Sequence, residues 1–122
     1  MLLTNFYKVN KVSSRVTEWH VSLELMAKHP LYKGHFPEHP IVPGVCIIQI
    51  IKECTAEILG KEMQYEYISS CKFLSAINPT ANSCLELTLC TKELENGNIQ
   101  LHAEGEYEGI KFVKLKATLL NK

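Results

Sequence analysis

The chain has 122 residues, 46% of them hydrophobic, and its 13 basic residues balance 13 acidic ones. That length supplies one core of ordinary size and not two, so a single domain over 1–122 is expected. Zero net charge leaves no global field that would favour nucleic acid or an anionic membrane, so any charged partner must be met by a local patch. The five cysteines, at 46, 54, 71, 84 and 90, show neither paired zinc-ligand spacing nor a disulfide framework and read as buried thiols in a reducing compartment. No basic-then-apolar leader opens the sequence, and no stretch has the length of a bilayer span, so a cytoplasmic location is expected.

In chain order, residues 6 to 25 alternate well enough for two strands, most clearly with Glu18, His20, Ser22 and Glu24 on one face and Trp19, Val21, Leu23 and Leu25 on the other. Next comes Gly34-His35-Phe36-Pro37-Glu38-His39-Pro40-Ile41-Val42-Pro43-Gly44-Val45. Its prolines fix φ at three positions and push the residues before them towards extended geometry, so the loop loses little entropy on ordering and can aim His35. The same prolines prevent the helical turn that would bring His35 and His39 together, which argues against a metal site with Glu38.

Residues 45–59 follow as a helix rich in isoleucine, with Gln49, Lys52, Glu53 and Glu57 as a narrow polar stripe and Gly60 as its stop. Four isoleucines at 47, 48, 50 and 51 would also suit a strand, but the apolar run is longer than a strand usually is. Strands are then expected over 64–74, 83–94, 99–107 and 110–120, with Asn96-Gly97 and Glu108-Gly109 as hairpin turns. Cys46 and Cys54 fall among the isoleucines as core fillers, and Lys52 and Glu57 suit a solvated stripe. Tyr65, Tyr67 and Phe73 are either core or the lining of an apolar tunnel. His20, His29 and His102 read as surface or strand-face residues. One apolar helix among six strands predicts an α+β fold in which an antiparallel sheet wraps the helix.

The loop and its junction with the helix resemble the signature of the hotdog-fold 3-hydroxyacyl-(acyl-carrier-protein) dehydratases, and Lys72-Phe73-Leu74-Ser75-Ala76-Ile77-Asn78-Pro79 resembles the strand and proline turn that follow that family's central helix. The resemblance implies a hotdog fold and removal of water from a (3R)-3-hydroxyacyl thioester to give the trans-2-enoyl thioester, in fatty-acid or polyene-type synthesis. It implies an acyl carrier protein as partner, no metal or cofactor, and a homodimer or trimer of dimers whose sites are shared between subunits. Within it His35 is the base and the Gly44 N–H, at the positive end of the helix, is the donor to the thioester carbonyl. The resemblance also implies that Val45 and Phe36 line the substrate. The family's second catalytic residue is a carboxylate five residues after that glycine, contributed by the partner subunit; here Gln49 stands at that position, and Glu53 follows one turn later, about 6 Å along the axis. The usual order of Glu then Gln is thus exchanged.

Three accounts remain open: Glu53 supplies the acid through Gln49 or a water, His35 both removes and returns the proton, or the protein binds acyl chains without turning them over. The last would make it a non-catalytic acyl-carrier-binding subunit pairing with an active dehydratase. A hotdog thioesterase would leave the histidine loop without a purpose. Basic residues that could meet an acidic carrier are Lys8, Lys11, Arg15, Lys28, Lys33, Lys111, Lys114 and Lys116.

Overall fold

A computed structural model describes residues 5–16, 18–33 and 40–121. The expected base His35, with Phe36 and the rest of Gly34 to His39, lies outside the described residues.

Six strands form one antiparallel sheet: β1 (Tyr7–Arg15), β2 (Glu18–Leu25), β3 (Met63–Phe73), β4 (Cys84–Glu93), β5 (Ile99–Tyr107) and β6 (Ile110–Asn121), in the order β1-β2-β4-β5-β6-β3. The helix α1 (Gly44–Leu59) lies between β2 and β3 in the chain, preceded by a short 3-10 turn, Pro30–Lys33. Each strand ends within a residue or so of its expected limit. Their alternation builds one inner face, with Val21, Leu23 and Leu25 of β2, Leu85, Leu87 and Leu89 of β4, Leu101 and Ala103 of β5, and Leu115, Ala117 and Leu119 of β6 all buried. Against it packs the helix, whose buried residues Cys46, Ile47, Ile50, Ile51, Cys54 and Thr55 recur in pairs four apart. That period, not the strand preference of isoleucine, decided the element, because the paired spacing buries the branched side chains on one helical face.

Two devices set the helix in place. Its C-terminus closes with Gly60 at φ 66°, where the N–H groups of Gly60 and Lys61 return to the carbonyls of Glu57 and Ala56. In its second turn, the phenol of Tyr65 on β3 donates to the Ile48 carbonyl at 2.8 Å. The strand itself bends at two irregularities against β6, between Tyr65 and Tyr67 and between Ile68 and Ser70. The two edge strands, β1 and β3, thereby flank the helix's polar stripe.

His20 and His102 fall on strand faces as expected, His20 with Nδ1 at 3.5 Å from Thr88 Oγ1. His29 lies at the surface in the loop after β2, half-buried, with its ring edge-on to the buried Phe6 and its Nδ1 accepting the Leu31 N–H at 3.1 Å.

Candidate active site

The start of α1 is positioned from both sides. Pro43, at φ −62° and ψ 143°, caps the helix without a side-chain hydrogen bond, and its carbonyl accepts the N–H groups of Cys46 and Ile47. Just before it, the Val42 N–H donates to the Ile77 carbonyl at 3.0 Å, tying the end of the proline loop to the turn after β3. Gly44 and Val45 therefore hold the first helical N–H groups, which have no acceptor one turn back and face outward with the positive end of the helix dipole.

A side chain at Gly44 would collide with the ring of Phe73, two of whose atoms lie 2.8 Å from where a Cβ would stand. Glycine at this position is therefore required by the packing of the Phe73 ring against the start of the helix. Phe73 is itself 49% exposed and caps an apolar pocket of about 360 Å³ between Ile41, Ile47, Leu74 and Ile77. Val45 is 65% exposed beside it. Of the aromatic residues that could line a tunnel, Phe73 alone reaches this pocket; Tyr65 is half-buried against the helix and Tyr67 is exposed.

Further along the helix, Gln49 and Glu53 are both half-buried and in contact. Gln49 Nε2 donates to Glu53 Oε2 at 2.9 Å, and the phenol of Tyr7, on β1, donates to Glu53 Oε1 at 2.9 Å. The exchanged pair is therefore a real pair, and its carboxylate accepts on both oxygens. Sequence reasoning missed Tyr7, which lies 46 residues away and carried no motif. Burial first, then the thiol of Cys54 and the Glu53 carboxylate, raise the Tyr7 phenol well above its ordinary value, so it remains a donor. Cys54 is buried and its thiol is pushed up to about 12, chiefly by burial, which fits a core filler and not a nucleophile. Tyr7 and Glu53 border an open groove of about 1000 Å³ that also meets Lys52, Glu57 and Met63. Lys52 and Glu57 keep the stripe position expected of them, and no side-chain hydrogen bond or ion pair ties either to another described residue.

Such an architecture, one curled antiparallel sheet around an apolar helix with donors at its first turn, is the hotdog fold. A family model described as ApeI dehydratase, of the ApeI-like family, matches residues 11–113. The chain belongs to the ApeI-like dehydratase family. It is 28% identical over 107 residues to the 3-hydroxyacyl-(acyl-carrier-protein) dehydratase FabZ of Staphylococcus saprophyticus, covering 75% of this chain and 74% of that protein. With the FabZ of Thermoanaerobacter sp. (strain X514) it shares 30% identity over 70 residues, spanning 49% of that relative's length, so the chain covers about half of the relative. Among solved structures, the dehydratase heterocomplex ApeI:P from Xenorhabdus doucetiae superposes with a TM-score of 0.77 at 20% identity, over 93% of this chain and 97% of that one. A hypothetical thioesterase with coenzyme A from Streptococcus pneumoniae gives 0.69 at 12% identity, over 99% and 91%. Both likenesses concern the fold alone. No helix among the described residues is long and apolar enough to cross a membrane.

Proposed function

We propose that the protein removes water from (3R)-3-hydroxyacyl thioesters presented by an acyl carrier protein, giving the trans-2-enoyl thioester. Family membership and the names of the FabZ relatives support the reaction class. The observation that carries the proposal is the Gln49–Glu53 contact on the helix stripe, one and a half turns from the Gly44 N–H. In this reading the thioester carbonyl accepts that N–H, which stabilises the charge that builds on its oxygen. His35 takes the C2 proton as neutral imidazole, the C–H electron pair forms the C2–C3 double bond, and the C3–O bond breaks. The imidazolium returns the proton to the departing oxygen, which leaves as water.

This proposal follows the one-base account among the three. Glu53 meets Gln49 as an acceptor from its N–H, so no proton passes from the carboxylate through that contact. Donation to a carboxylate polarises the amide and makes its Oε1 a stronger acceptor, suited to hold the 3-hydroxyl of the substrate. Gln49 then orients the leaving group, and Glu53 orients Gln49.

The test is a mass-spectrometric assay for loss of water from 3-hydroxyacyl carrier thioesters of several lengths. The wild type is expected to form enoyl product, the His35→Asn variant none. Gln49 at the acid position favours a second reading, a carrier-binding subunit that works beside an active dehydratase; the name of the ApeI:P heterocomplex points the same way. Binding of the carrier thioester without product, with co-purification of a second dehydratase, would establish it. Release of free thiol would instead mark a thioesterase.

A further inference from the structure

We propose that Tyr7 is a positioning residue of this site: its phenol fixes the Glu53 carboxylate and, through it, the orientation of the Gln49 amide. The inference rests on the dehydratase reading for its kinetic part and on geometry alone for the rest.

Three observations carry it. The two hydrogen bonds, Tyr7 O–H to Oε1 and Gln49 Nε2 to Oε2, are both 2.9 Å and use opposite oxygens of one carboxylate. A carboxylate held at one oxygen only can rotate and swing on its three flexible torsions; a second donor from a different element removes that freedom. Tyr7 is also the one half-buried residue of β1, the other eight being exposed, so it is the side chain of that strand that packs into the molecule. Its place on the strand is in turn fixed: Tyr7 pairs with Leu25, and the neighbouring Phe6 is wholly buried against Tyr32 at a ring separation of 5.4 Å.

The consequence for the amide follows from its asymmetry. A glutamine side chain can present either its carbonyl or its NH2 to a neighbour, and the two orientations differ little in shape. A carboxylate locked beside it accepts N–H and repels C=O, so Gln49 Oε1 is turned away from Glu53. Tyr7 thus decides which face of the amide substrate meets, although it need not touch substrate itself. Raised as it is by burial, the phenol keeps its proton and this role does not vanish in mildly alkaline solution.

The experiment uses the full-length chain in its native assembly and compares wild type, Tyr7→Phe, Glu53→Gln and the double variant. Tyr7→Phe keeps the ring and deletes one O–H. By nuclear magnetic resonance, the Gln49 side-chain NH2 pair, assigned by its loss in Gln49→Met, is expected to shift and to exchange with solvent about tenfold faster in Tyr7→Phe. In the dehydration assay kcat should fall about tenfold with KM within about twofold. The double variant should be no slower than Glu53→Gln, because both substitutions break one chain of contacts. A merely structural strap would lower stability without this coupling. An unaltered Gln49 amide in Tyr7→Phe, or kinetic losses that multiply in the double variant, would overturn the inference. A wild type that forms no enoyl product would overturn the dehydratase reading instead, and the amide signal would still decide for or against Tyr7.

Discussion

Gly105 lies on the inner face of β5 against the buried ring of Phe112, and a Cβ there would come within 2.4 Å of that ring. Unlike Phe73 at the helix start, Phe112 has no solvent to retreat into. Gly105→Ala is expected to cost about 1–3 kcal/mol of stability, read as a lower denaturant midpoint with unchanged slope. Tyr32 presents the opposite case: its hydroxyl is buried and has no hydrogen-bond partner among the described residues. Tyr32→Phe removes a desolvated polar group and should stabilise by about 1 kcal/mol in the same measurement. The cysteines divide by burial, against the expectation that all five are buried: Cys46 and Cys54 are, Cys71 and Cys90 are half-buried, and Cys84, at an outward-facing position at the start of β4, is exposed. Cys84 is exposed, whereas Cys54 is buried with its thiol raised to about 12, so iodoacetamide at mildly alkaline pH should label Cys84 and spare Cys54 in the folded protein. Because the thiolate is the nucleophile and a raised value keeps the thiol protonated, Cys54 labelling should climb only as pH rises towards that value, as peptide mass spectrometry would show.

At the scale of the element, the β5–β6 hairpin turns on two residues, both with positive φ, Glu108 at 50° and Gly109 at 79°. Two-residue hairpins of this mirror-image type match the right-handed twist of the strands, and asparagine tolerates the first position better than glutamate. Glu108→Asn is expected to raise stability by about 0.5–1 kcal/mol, visible as a higher melting temperature. The helix shows a different kind of agreement. Its Gly60 stop and its polar stripe were legible in the pattern of residues, because capping and amphipathicity are local properties of one segment. The identity of Gln49 and Glu53 as partners was legible too, since an i to i+4 spacing places both on one face.

For the whole molecule, the sheet leaves β1 and β3 as open edges, and β3 carries the exposed Tyr67, 56% accessible, together with Ile68. An unpaired edge with apolar residues invites another strand. Two copies joined along β3 would cover that edge. Light scattering should therefore report a dimer or a multiple of it, and Ile68→Lys should shift the population towards monomer; a monomeric wild type would refute the pairing.

By itself the sequence determined the α+β class, the strand limits, the single apolar helix, the turns and the family, since each depends on periodicity, turn chemistry or a contiguous motif. Tertiary structure decided the rest. It alone brought Tyr7 to Glu53 across 46 residues, laid Phe73 over Gly44 and packed His29 on Phe6. Those contacts arise from the way the sheet curls around the helix, and curvature is set by bulges and by packing between distant strands, which no local pattern of residues records.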